Sequence, residues 1–198
     1  MGLKRIPNPD DDAALWVADA NHPFWDALSW VDTLGASSYE MKPVVSVESM
    51  VRTAQFDTIG NGRILDFIAI FGHGTEGYQG LGCGREYETT GERCLRFEQI
   101  AMRGGTHLSG AAARKLSSLN GVLSNHAELL LAGCSVGSGS YGSGLLTTIS
   151  SLLKNRAVHA FTNDVYWWTG SLIGTLKTAR GKVIATSFAI LPLGKTEY

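Results

Sequence analysis

The chain has 198 residues, 44% of them hydrophobic and 18% charged, which is the composition of an ordered globular domain and excludes disordered, collagenous and coiled-coil classes. Lys+Arg 17 against Asp+Glu 18 leaves a net charge of −1, so no overall field draws the protein to nucleic acid or to an acidic membrane. Apolar runs such as 64–71 and 129–132 are far shorter than the roughly 20 residues that cross a bilayer. The opening MGLKRIPNPDDD has no apolar h-region or cleavage site, and Ile6 stands where a myristoylation signal needs Ser or Thr. Residues 1–12 are therefore expected to be a flexible acidic arm ahead of a single domain over 13–198. Three cysteines leave at least one thiol free, and a chain of this length builds a core without disulfides, so a reducing, cytoplasmic setting is expected.

The elements alternate between two periods. Residues 14–18 (ALWVA) read as a strand, and 24–34 (FWDALSWVDTL) as a helix that Pro23 can open. A second short strand over 43–45 precedes a helix over 47–56, capped by Ser46 with Glu48 and Ser49 in its first turn. Residues 63–71 (RILDFIAIF) form a nearly continuous apolar strand that ends in Gly72-His73-Gly74, the pattern of a central parallel strand covered on both faces. The polar, glycine-rich 78–97 reads as a surface hairpin turning at Thr89-Thr90-Gly91, and 109–119 as a Ser-capped helix. The second strong strand, 128–132 (ELLLA), ends in Gly133-Cys134-Ser135 and leads to a helix over 143–153. A strand over 157–161 and two more over 171–178 and 182–191, turning at 179–181, complete the chain. Strands alternating with helices predict a three-layer α/β sandwich, a mainly parallel sheet with helices on both faces.

The 24 glycines crowd into 72–84 and 133–144, at the carboxyl ends of the two strongest strands, where open α/β sheets bind their ligands. His73 and Cys134 at two such ends make a base and nucleophile arrangement. A nearby imidazole or a helix amino terminus would stabilise the Cys134 thiolate, and Gly74 and the Gly133-Cys134 segment can offer backbone N–H groups to an oxyanion. The bland alternative is a buried Cys in a β–α turn and a His tied to a loop carbonyl. Two other motifs overlap the second loop. Gly133-Cys134-Ser135-Val136-Gly137 satisfies G-x-S-x-G, but the only downstream histidine, His159, precedes the only downstream aspartate, Asp164, which is the wrong order for a serine-hydrolase triad. Gly137–Gly142 satisfies G-x-G-x-x-G with Asp164 beyond the next strand, so a nucleotide-binding α/β enzyme is a further alternative, although the fingerprint starts several residues after the strand ends.

A hydrophobic strand ending in Gly72-His73-Gly74 and a later one ending in Ala132-Gly133-Cys134 resemble the caspase-like (clan CD) cysteine peptidases, most closely the bacterial CHAT-type proteases. The resemblance implies a caspase-like fold, a peptide or protein substrate and no cofactor, with Cys134 as nucleophile, His73 as general base and acid, and the Gly74 and Cys134 amides as oxyanion donors. It also puts the pocket for the residue before the scissile bond (P1) near 162–168. Asp164 would then face a basic P1 side chain, and Trp167 and Trp168 would wall the cleft; a capping Asp in a Thr-Asn-Asp turn and a core Trp are the alternatives. A caspase-like module that has lost catalysis and binds a partner is the second reading, ahead of the nucleotide-binding one. Some relatives respond to an activating partner or polyanion, yet Lys177, Arg180 and Lys182 read as a solvated face. Cys83 and Cys94 read as free surface thiols, and His22, His107, His126 and His159 as structural.

Overall fold

The computed structural model describes residues 2–7, 13–21, 41–82, 94–100, 105–108, 110–168 and 171–192. Its strands are β1 (Ala14–Asp19), β2 (Lys42–Val44), β3 (Leu65–Phe71), β4 (Gly74–Thr75), β5 (Tyr78–Gly80), β6 (Cys94–Ile100), β7 (Gly105–Leu108), β8 (Leu123–Leu131), β9 (Ala157–Phe161), β10 (Tyr166–Trp168), β11 (Ser171–Arg180) and β12 (Val183–Pro192). Its helices are α1 (Val47–Asn61), α2 (Gly110–Ser117) and α3 (Gly139–Leu152), with a 3₁₀ turn over Ser118–Gly121. The main sheet has the order β10-β11-β9-β8-β3-β1-β2, with β12 on the outside of β11. From β2 to β9 every pairing is parallel, and β11 is antiparallel to β9, β10 and β12. A small antiparallel sheet, β4-β5-β6-β7, grows from the end of β3. It contains the expected hairpin, whose turn lies outside the described residues.

Strand alternation divides the core. Leu15, Val17, Ile68, Ile70, Leu129, Leu131, Val158 and Ala160 face α1, α2 and α3 in one apolar cluster. Trp16, Phe67, Ala69, Leu130 and Phe161 face the other way, against Ile6, Leu172, Leu176 and Leu191. All three described helices thus cover one face. The helix expected over 24–34 lies outside the described residues, so the α/β architecture with a mostly parallel central sheet stands without a described helix on the second face. There the amino-terminal segment contributes cover: Ile6 is fully buried, its N–H donates to Pro192 O at 3.0 Å, and the Trp16 indole donates to Pro7 O at 2.8 Å. Residues 2–7 are accordingly a docked segment and not a solvated arm; apolar Ile6 outweighs the charged residues around it. Residues 8–12 lie outside the described residues.

The Ser46 cap acts where it was placed, and the boundaries move; Ser109, the other expected cap, lies outside the described residues. Ser46 Oγ accepts from Ser49 N and Ser49 Oγ accepts from Ser46 N, a reciprocal capping box. α1 then runs five residues past its expected end, to Asn61, before Gly62 closes it at φ 63°. Its extra turn carries exposed Ile59, so burial periodicity gives no sign of it. α3 begins four residues before the expected 143, inside the glycine-rich run. The terminal hairpin turns at Gly181-Lys182, with Arg180 opposite Val183 and Gly181 at φ 59°. No helix among the described residues is long and apolar enough to cross a membrane.

One buried polar cluster ties three strands together. Fully buried His159 on β9 has Nε2 at 3.2 Å from Glu128 Oε2 on β8 and Nδ1 at 2.8 Å from Thr178 Oγ1 on β11, while Arg180 lies 3.8 Å from Glu128 Oε1. The hydrogen bond from His159 holds the Glu128 carboxyl below its ordinary value, with the charges of His159 and Arg180 adding to it and burial opposing. A carboxyl shifted downward adds stability that is complete above its unfolded pKa and is lost as pH falls through the folded value. Glu128→Gln is expected to cost about 1–2 kcal/mol at neutral pH. In urea titrations across pH, the variant and the wild type should converge below pH 4.5, the ordinary value for this group.

Candidate active site

β3 and β8 lie side by side, paired in register from Phe67 with Glu128 to Ile70 with Leu131. Ala132 N–H donates to Ile70 O at 2.8 Å, so the two strands end together. Each chain then leaves the sheet through a glycine. After β3 the His73 carbonyl accepts from Gly80 N at 2.8 Å and opens the β4–β5 hairpin. After β8 the chain turns through Gly133, Cys134 and Ser135, with Ser135 in the left-handed region at φ 56°, a conformation rare outside glycine. The turns abut directly. A Cβ on Gly74 would sit 2.7 Å from Cys134 O and 2.9 Å from Gly133 C, and one on Gly133 would sit 3.0 Å from Gly74 N. His73-Gly74 and Gly133-Cys134, far apart in sequence, are therefore packed backbone to backbone. His73 is half-buried with a buried Nε2, and Cys134 is half-buried.

The Cys134 loop is held on both sides. Toward the His73 hairpin, Gly133 N donates to Gln79 Oε1 at 2.9 Å and Gly77 N donates to Val136 O at 3.0 Å. Toward the segment after β9, Ser135 N donates to Asn163 O at 3.0 Å and Gly137 N to Phe161 O at 2.8 Å. Val165 N donates to the Cys134 sulfur at 3.4 Å, which orients the thiol. Among the described residues no acceptor pairs with the Cys134 amide. On the hairpin, the bond between Gly80 and His73 makes Gly74 and Gln79 a non-bonded antiparallel pair, so the Gly74 N–H points away from β5. Both amides expected to stabilise an oxyanion are thus outside the ladders.

The other expected residues divide. Asp164 is exposed in the 163–165 stretch that reaches the sulfur. Trp167 and Trp168 follow on β10, paired with Leu172 and Ser171; their side chains lie outside the described residues. The glycines of the 137–142 fingerprint face protein. A Cβ on Gly137 would meet Ala160 O at 2.9 Å and one on Gly142 would meet Gly137 C at 2.3 Å. Gly139 packs on the Glu76 carboxylate, which accepts from Tyr141 N at 3.1 Å. Glu76 thereby occupies the amino terminus of α3, where an anion would otherwise sit. That terminus begins five residues beyond Cys134 in the chain. Lys177 is not on a solvated face: its ammonium donates to Gly139 O at 3.2 Å and Ser143 Oγ at 3.0 Å, and burial lowers its pKa against the opposing charge of Glu76. Cys94 is likewise buried and not a surface thiol; Cys83 lies outside the described residues.

Gln79, Glu76 and the Val165 amide carry no local sequence signal. Gln79 in particular sits within Tyr-Gln-Gly of the expected surface hairpin, and only the packing of that hairpin onto the Cys134 loop gives it a role. The close approach of the loops makes a stability prediction. Gly74→Ala would bring a methyl to 2.4 Å from Val136 Cγ2 and 2.7 Å from Cys134 O, and is expected to cost about 1–3 kcal/mol. Gly60→Ala in α1, whose methyl meets nothing within 4 Å, should be neutral or stabilising by up to about 1 kcal/mol. Urea midpoints of the two variants check the contrast.

In comparisons with known proteins, no family model, no curated protein and no solved structure matches this chain.

Proposed function

We propose that the chain is a cysteine endopeptidase of caspase-like type. The observation that carries the reading is the packing of Gly74 on Gly133-Cys134, which joins the His73 and Cys134 turns at the ends of two neighbouring parallel strands. A half-buried cysteine and two amides outside the ladders lie at that junction. In this reading His73 takes the Cys134 proton, and the sulfur attacks the scissile carbonyl carbon. As the C–S bond forms, the carbonyl π pair moves to oxygen, where the Gly74 and Cys134 N–H groups hold it. Collapse of this intermediate breaks the C–N bond, and the His73 imidazolium protonates the leaving amine. A water that gives its proton to His73 then attacks the thioester. The second intermediate releases the carboxylic acid, and the sulfur leaves with the bonding pair.

Asp164 is exposed beside Val165, whose amide meets the sulfur, so a basic P1 residue is the first to test. The nucleotide-binding reading is weaker, because Glu76 fills the volume at the α3 terminus that a pyrophosphate would need. Labelling of native protein with iodoacetamide, followed by mass mapping, tests the proposal. Cys134 should react faster than Cys83 and Cys94, and His73→Ala should slow it by about 10²-fold. Peptide hydrolysis should vanish in Cys134→Ala. A Cys134 that reacts no faster than the other thiols, with no hydrolysis by the wild type, would favour the partner-binding module.

A further inference from the structure

Gln79 is a polar side chain with no exposure, placed between two glycines that flank the candidate dyad. Its Oε1 accepts from Gly133 N at 2.9 Å, and its Nε2 donates to Gly80 O at 3.1 Å. The carboxamide leaves no room for side chains on either side: a Cβ on Gly133 would lie 2.8 Å from Oε1, and one on Gly72 would lie 3.2 Å from Nε2. Gly72 precedes His73 and Gly133 precedes Cys134. One buried amide group therefore touches the residue immediately before each reacting side chain and has both of its hydrogen-bonding ends occupied.

We infer that Gln79 is the positioning residue of the oxyanion site, an inference that rests on the peptidase reading above. The residue does not touch the reacting atoms. It fixes the Gly133 N–H, and so the backbone dihedrals that aim the next N–H, that of Cys134, at the developing charge. Planarity of the Gly133–Cys134 peptide carries that constraint forward. Its second bond, to Gly80 O, anchors the side chain on the hairpin whose other strand carries Gly74. Both oxyanion donors are thus referred to a single rigid group. An oxyanion site must be set before the charge develops, because donors that reorganise during reaction lose much of their effect. A buried carboxamide bonded at both ends meets that requirement, since leaving either end unpaired carries a desolvation penalty.

The test separates turnover, which needs the oxyanion, from alkylation by iodoacetamide, a displacement at saturated carbon that forms none. Gln79→Met keeps the volume and removes both hydrogen bonds. It is expected to lower kcat on the best peptide amide from a library screen by about 10²-fold, with KM within about twofold. Cys134 alkylation should stay within about threefold of wild type. Gln79→Glu, which keeps an acceptor for Gly133 N–H, should retain more kcat than the Met variant. Should Gln79→Met not fold, Gln79→Asn, one methylene too short to reach Gly133 N–H, carries the same comparison. A folded Gln79→Met with kcat within threefold of wild type overturns the inference. So does a variant in which alkylation falls in parallel with kcat, which marks a structural role only. A wild-type protein that neither hydrolyses peptides nor alkylates selectively at Cys134 removes the peptidase reading and this inference with it. An active wild type with unaffected Gln79 variants removes the inference alone.

Discussion

The site depends on the pairing of β3 with β8. Two parallel strands in the middle of a sheet, held in register up to Ile70 and Leu131, must release their chains at the same edge and at the spacing of adjacent strands, roughly 4.8 Å. That spacing is small enough for the loops to touch without any long side chain reaching across. It becomes contact only because both chains leave the sheet through glycine, so that Gly74 and Gly133 approach through backbone atoms. The sheet sets where His73 and Cys134 stand, and the glycines set how close their loops come.

The elements that were legible in the sequence are those whose signal is burial on both faces. LDFIAIF on β3 is buried at six positions and exposed only at Asp66, and AVHAF on β9 is buried throughout. An apolar run bounded by glycine is enough to find such strands and their ends. The Ser46 cap of α1 was legible for a local reason, since both its hydrogen bonds lie within four consecutive residues. The residues that escaped are those whose environment comes from another element. The Gly-Ser-Tyr-Gly start of α3 has poor helix propensity, and the Glu76 carboxylate from the β4–β5 turn accepts from its Tyr141 amide. Ile6, among charged and proline neighbours, is buried by β12 and Trp16. Cys94 is buried because its strand pairs with β5.

The turns that carry His73 and Cys134 belong with the legible part, since they follow the two clearest strands. The rest of the site does not. Gln79, Val165 and Asn163 act through contacts that span tens of residues, and two of them act only through backbone groups, for which residue type carries no signal. The described structure thus brings the turns that carry His73 and Cys134 together and adds the atoms that hold those turns.

Those added contacts change which forces can act on the sulfur. The sequence places a glycine-rich turn and then a helix after Cys134, an arrangement in which a helix amino terminus commonly favours an anion. Here α3 starts five residues later, and its Tyr141 amide already donates to Glu76, whose charge is opposed in turn by nearby Lys177. The helix end, the carboxylate and the ammonium thus satisfy one another locally. In the proposed peptidase reading, the work of making a nucleophile then falls on His73 and on the alignment of groups around the Cys134 turn. This explains why that turn is tied to the hairpin at Gly133 and Val136 and to the β9 loop at Ser135 and Gly137. In that reading chemistry at Cys134 depends on geometry, and the strained backbone of Ser135 is tolerated because bonds on both sides of the loop hold it there.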